Sequence, residues 1–405
     1  RLLVVLKEIP FTISFYERLS VIHGIINKEK LLYQNPATYF VQFASVYVNI
    51  RRDYLYEDAF EKLSFDVVPE LKLPIRIHFT SSIGVEEPGV DGGGIFREFL
   101  TDLLRTAFDP SRGFFLLTND NQLYPNPNVH ILHPDYYRHY HFIGRMLGKA
   151  VFENLLIELP FADFFIAKLT GSYSELNLHN LASLDPEIYK NLLYLRKYNG
   201  DFNALGLDFT LVVDEYGSHK TVELKPKGSE IPVAACNKME YIHLVADYKL
   251  NKQIDAQCVA FEEGLNTMLK QEWLAMFSSK ELQIILSGFE VPIDLSDLQE
   301  FAVYTGGFTL EHPNIQAFWR VVNTFNDEQI RDLLKFVTSL TRAPLLGFKD
   351  LDPPFCIQYV EGGDSRLPTA STCMNLLKLP VFTNDTVMRE KLLFVINSGA
   401  GFDLS

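Results

Sequence analysis

Apolar residues recur along this chain at two spacings, and the changes between them outline its elements. Between Ser14 and Ile26 they fall at Phe15, Leu19, Ile22 and Ile26, steps of three and four that predict an amphipathic helix. Tyr54 to Leu63 continues the helical spacing, so residues 1–62 are expected to be mostly helical, with 1–48 as a packed leader. Leu73-Pro74-Ile75-Arg76-Ile77-His78-Phe79 then alternates as a half-buried strand does. A loop from Gly84 to Gly94 follows, and a helix is expected to start at Ile95. Tyr140 to Glu158 reads as a core helix, with Gly144 and Gly148 on one face where a neighbouring element can approach closely.

From Leu178 to Tyr248 the texture shortens. Phe209 to Asp214 and Thr221 to Leu224 are strand-like and are joined by the turn Glu215-Tyr216-Gly217-Ser218, which predicts a small inserted subdomain. A long helix from Asn251 to Trp273 is expected next, then Glu281 to Leu286. Ser287-Gly288, with Pro292 beyond, marks a helix stop and a boundary at 288–291. Past it come a helix start at Asp294, a Gly306-Gly307 turn, helices over Gln316–Val322 and Glu328–Thr338, a strand over Phe355–Val360, and a last helix over Arg389–Ile396. The whole predicts an α+β fold ending in a compact α/β module.

Composition narrows the class. With 47% hydrophobic and 22% charged residues over 405 positions, the chain is an ordinary globular one, long enough for two domains. Apolar runs such as Leu2–Leu6 and Leu392–Ile396 fall far short of the ~18 residues of a membrane span, so no membrane association is expected. A net charge of −14 without a Lys/Arg cluster argues against nucleic acid. Cys236, Cys258, Cys356 and Cys373 show no paired spacing, so neither a metal site nor a disulfide framework is expected. Together with the lack of a secretory leader, this predicts a cytoplasmic or nuclear chain. Starting at Arg1 rather than Met, it is expected to be a fragment. Asp91-Gly92-Gly93-Gly94 has neither dinucleotide-binding nor P-loop spacing and reads as a turn and helix cap.

One cysteine stands out. Cys373 lies in Leu367-Pro368-Thr369-Ala370-Ser371-Thr372-Cys373-Met374-Asn375, a small polar loop bounded by Pro368 and Pro380, where a thiol can be displayed as a nucleophile. The histidines end at His312, so a papain-like order of Cys before His is impossible. Thioester exchange has easier requirements, because thiol-for-thiol transfer is nearly isoenergetic and a modest thiolate fraction suffices. A following attack by a lysine amine needs a carboxylate helper, and Asp403 or the terminal carboxylate serves if the tail folds back.

At these residues the chain resembles the catalytic domain of HECT-type ubiquitin-protein ligases, over roughly 49–405. The resemblance rests on Asp91-Gly92-Gly93-Gly94 with Arg97-Glu98-Phe99, the Tyr140–Ala150 helix, Phe318-Trp319, Phe336-Val337-Thr338 with Pro344, Leu367-Pro368, Thr372-Cys373 with Asn375, Leu379-Pro380 and Gly401-Phe402. It implies a bilobal fold: a large, mostly helical N-terminal lobe at 49–287 carrying a small subdomain at about 178–248, a hinge at 288–291 centred on Gly288, and a smaller α/β lobe at 292–405.

It further implies that Cys373 takes ubiquitin from a conjugating enzyme and passes it to a protein substrate or to ubiquitin, with Leu367, Pro368, Thr372 and Asn375 supporting the loop. Phe402 would hold the tail near the thioester. Tyr241 and Val245, with Leu192, Leu195 and Tyr198, match a docking groove for the conjugating enzyme; for each, ordinary subdomain core is the competing reading. No cofactor is expected, neither metal nor ATP, and the proteasome is an expected downstream partner. Ser371 stands where many members carry His, and Val245 where some carry an aromatic. The alternatives are a cysteine protease acting on ubiquitin conjugates and a non-enzymatic adaptor that binds conjugating enzymes.

Overall fold

A computed structural model describes residues 6, 8–34, 45–81, 94–171 and 178–398. In chain order its main elements are α1 (Phe15–Tyr33), β1 (Val46–Arg51), α2 (Leu55–Leu63), β2 (Ile75–Thr80), α3 (Gly94–Phe108), β3 (Phe115–Leu117), β4 (Leu123–Pro125), α4 (Tyr136–Phe152), α5 (Asp163–Thr170), α6 (Pro186–Lys197), β5 (Thr210–Glu215), β6 (Ser218–Glu223), α7 (Lys238–Leu250), α8 (Asp255–Asn266) and α9 (Ser279–Ser287). After these come α10 (Leu295–Phe301), β7 (Val303–Thr305), α11 (Pro313–Val322), α12 (Asp327–Thr338), β8 (Cys356–Val360), β9 (Thr369–Ser371), β10 (Leu376–Pro380) and α13 (Asp385–Ser398). The fold is α+β, with long helices and short sheets.

By contact the chain forms two compact units. One comprises Arg1–Phe15, Leu104–Gly148 and Leu159–Gln283; the other comprises Tyr16–Leu103, Lys149–Glu158 and Ile284–Ser405. In the first, α4 and α8 touch backbone to backbone. A Cβ on Gly144 would lie 2.0 Å from the Phe261 carbonyl oxygen, and one on Gly264 would lie 1.8 Å from that of His141, so only glycine admits this approach. The subdomain of this unit pairs α6 and α7 with the hairpin β5–β6, whose turn places Tyr216 and Gly217 at φ of 52° and 83°, the backbone a two-residue hairpin favours. Asp185 caps α6 by accepting from the Ile188 N–H at 3.0 Å.

In the second unit β1 and β2 pair in parallel, and α2 covers them with Tyr56, Ala59 and Leu63 buried. Its later part is a sheet of order β7-β8-β10-β9, parallel except for the β9–β10 hairpin. Helices α11, α12 and α13 pack with it around Phe318, Val322, Leu333, Val337, Ile357, Leu377, Leu379 and Leu392. Asn326 and Gln329 form a reciprocal cap that starts α12.

Three sequence expectations change. Residues 1–62 are not uniformly helical, since Val46, Val48 and Ile50 alternate as β1, a period-2 signal within a helical stretch. The helix expected over Tyr140–Glu158 ends at Phe152, and Asn154 turns the chain at φ 56°. The long helix expected over Asn251–Trp273 breaks after Asn266. There the Thr267 hydroxyl donates to the Gly264 carbonyl at 2.7 Å, and a short helix resumes at Gln271–Leu274.

Candidate active site

The residues around Cys373 form a tight connection between β9 and β10. Ser371 pairs with Leu376 across the hairpin, and Thr372–Met374 make one 3-10 turn closed by the Asn375 N–H donating to the Thr372 carbonyl at 3.3 Å. Asn375 turns the chain at φ 47°, a left-handed conformation that Asn adopts more readily than most residues. Of Cys373 the structure describes the backbone, which occupies the middle of that turn. The tip meets solvent at Met374, which is 55% exposed.

Beneath the tip the turn is anchored through Asn375. Asn375 is fully buried, and its Nδ2 donates to the Pro353 carbonyl at 2.5 Å. Its Oδ1 accepts from Arg97 Nη1 at 3.1 Å, and its own carbonyl accepts from the Cys356 N–H at 2.9 Å. Arg97 also donates through Nη2 to the Asp352 carbonyl at 3.0 Å. Helix α12 packs behind the turn and β9. Pro368 is buried and Leu367 half-buried, so they fix the approach to β9, while Thr372 is half-buried beside the cysteine. Asn375 is recognisable beside the cysteine in the sequence, whereas the place of Arg97 at the turn is not, because the two are 278 residues apart and nothing local links them.

Phe402 and Asp403 lie outside the described residues, as do Asp91, Gly92, Gly93 and Gly401. Gly288 is buried at φ 79° just after α9, and its N–H caps that helix by donating to the Ile284 carbonyl at 2.8 Å. In the subdomain, Leu192, Leu195, Tyr241 and Val245 are buried, with Tyr241 edge-on to Phe209 at 5.6 Å, and Tyr198 is half-buried. The exposed apolar surface on α6 and α7 belongs instead to Tyr194, 64% exposed and 5.7 Å from the Tyr198 ring, and to Met239 at 50%. Exposure is a property that a hydrophobicity pattern does not separate from core.

The other cysteines differ in setting. Cys258 is buried, and burial pushes its thiol up to about 12. Cys356 is partly covered in β8, with its Sγ 3.5 Å from the Thr305 hydroxyl. Cys236 is exposed, so packing does not account for it. His312 serves as a helix cap, its Nδ1 accepting from the Asn314 N–H at 3.1 Å.

Cys373 thus lies on a turn whose tip meets solvent at Met374 and whose base is held by buried Asn375 within an α+β module. The sequence profile described as HECT-domain (ubiquitin-transferase) matches residues 101–405. E3 ubiquitin-protein ligase UPL6 of Arabidopsis thaliana is 40% identical over 406 residues, covering 99% of this chain and 39% of its own length. E3 ubiquitin-protein ligase HUL5 of Saccharomyces cerevisiae is 40% identical over 421 residues, covering 100% and 45%; Ubiquitin-protein ligase E3B of Homo sapiens is 38% identical over 431, covering 99% and 40%. This chain belongs to the HECT family. It spans about two-fifths of the length of these relatives.

Proposed function

We propose that the domain accepts ubiquitin from a conjugating enzyme as a thioester on Cys373 and transfers it to a lysine of a protein substrate or of ubiquitin. In the first step the Cys373 thiolate attacks the donor thioester carbonyl, a new C–S bond forms, and the donor sulfur leaves as thiolate. Little free energy changes, so no bound ATP is needed at this stage. In the second step the lysine nitrogen attacks the same carbonyl, the C–N bond forms, the Cys373 sulfur leaves as thiolate, and the ammonium proton passes to a base.

The observation that carries this reading is the turn itself: Cys373 sits between Ser371, paired with Leu376 across the hairpin, and buried Asn375, held by its side-chain bonds. The ligase names of the relatives support it independently. In this proposal residues 292–405 act as the catalytic lobe, Gly288 as the hinge, and the subdomain as the docking site, with the exposed Tyr194 and Met239 as its contact surface. Incubation with ubiquitin, its activating enzyme and a conjugating enzyme should yield an adduct that disappears on reducing gels and is absent in Cys373→Ala. An adduct that survives this substitution rejects the assignment.

A further inference from the structure

Arg97 is hydrogen-bonded to the turn from 278 positions away in sequence. It projects from α3, a helix anchored by Phe96, Phe99, Leu100 and Leu103, all buried. Its guanidinium spans two acceptors, Asn375 Oδ1 at 3.1 Å and the Asp352 carbonyl at 3.0 Å. Both belong to the frame that holds residue 373: Asn375 closes the turn, and Asp352 precedes Pro353, whose carbonyl receives the Asn375 amide. A planar guanidinium fits this two-point task, and a charge-assisted bond to a buried amide is stronger than a neutral one.

We propose that Arg97 is a positioning residue for the lysine-transfer step. The inference rests on the thioester chemistry proposed above and adds a division between its two halves. Loading exchanges one thioester for another, while the donor enzyme supplies its own docking surface, so small displacements of the turn are tolerated. Attack by an amine requires the thioester carbonyl to stay in register with an independently held nucleophile, where a displacement of about 1 Å can cost about a hundredfold. Arg97 also lies before the Gly288 linker and Asn375 after it, so a pivot there would break the bond. The arrangement that keeps it is assigned to transfer, and loading proceeds without it.

The test is a single-turnover experiment on the full chain. Fluorescent ubiquitin is loaded, activation is quenched, and free lysine or unlabelled ubiquitin is added while the reductant-sensitive adduct is followed. Arg97→Ala should load within about twofold of wild type, discharge about tenfold more slowly, and unfold within about 3 °C of it. Arg97→Lys, a single-point donor, should recover part of the discharge rate. Asn375→Ala should slow discharge in the same direction. Unchanged discharge in Arg97→Ala overturns the proposal, as does equal slowing of both steps or complete rescue by lysine. A wild-type chain that never loads overturns the ligase reading itself and this inference with it.

Discussion

The guanidinium of Arg342 donates through Nη1 to the Gly288 carbonyl at 3.0 Å. The same side chain lies 3.3 Å from Glu290 Oε1 and 3.5 Å from Glu158 Oε1, so one arginine holds the segment after α9 at two points and links it to Glu158. Gly288 cannot be replaced freely. Its φ of 79° excludes proline, and an added Cβ would meet Arg342 Cδ and Leu156 Cδ1 at 3.0 Å. The segment is therefore held both by the backbone bond from the Gly288 N–H to Ile284 and by the bonds of Arg342. Arg342→Ala is predicted to speed amide exchange across 288–291 by about tenfold while leaving α12 unchanged. Unaltered exchange in the linker would mean that Arg342 does not restrain it.

The α4–α8 crossing is predicted to be intolerant of a single methyl group. Gly264→Ala would drive a Cβ into the His141 carbonyl and its neighbours, and neither backbone has a flexible end that can yield. A loss of about 3 kcal/mol in denaturant unfolding is expected, against a gain of up to about 1 kcal/mol for Gly24→Ala, which lies inside α1 with nothing within 4 Å. Similar losses at the two positions would contradict the close approach.

Asp58 gives an acid-dependent prediction. It is buried, and hydrogen bonds from the Arg51 guanidinium and backbone N–H, with Lys62 nearby, hold its carboxyl at about 2. An unfolded aspartate titrates near ~3.9, so the unfolded chain takes up this proton first as pH falls. The contribution is thus fully present above pH ~4 and is lost as pH drops toward ~2. Asp58→Asn should cost about 2 kcal/mol at neutral pH and flatten the stability profile between those limits. An unchanged profile would show that the pair does not couple to folding.

Thiol reactivity should follow setting. Under native conditions iodoacetamide at pH 8 is expected to modify exposed Cys236 and to spare Cys258, whose thiol burial pushes up to about 12; unfolding should equalise the two. Rapid native labelling of Cys258 would contradict its burial.

Much of this architecture is legible in the chain. The three- and four-residue spacing of Leu19, Ile22 and Ile26, and of Ile330, Leu333, Leu334 and Val337, marks helical faces that are buried in α1 and α12. Strand β7 is not legible, because three residues make too little pattern, and β10 is hidden because it runs directly on from the cysteine turn. The cysteine turn is recognisable from its polar residues flanked by prolines, yet its support is not. Arg97 reaches Asn375 across 278 positions, and no local spacing encodes that contact. Leu192, Leu195, Tyr241 and Val245 illustrate the converse, since apolar residues on two short helices look alike whether they meet a partner or each other.

Cys373 is proposed to carry the acyl group. Intact-mass measurement of the loaded chain, before and after reductant, should show one added ubiquitin that reductant removes, in wild type and in Cys236→Ala and Cys356→Ala, and none in Cys373→Ala. A removable ubiquitin persisting in Cys373→Ala, or disappearing in Cys236→Ala or Cys356→Ala while Cys373 is intact, would contradict the account.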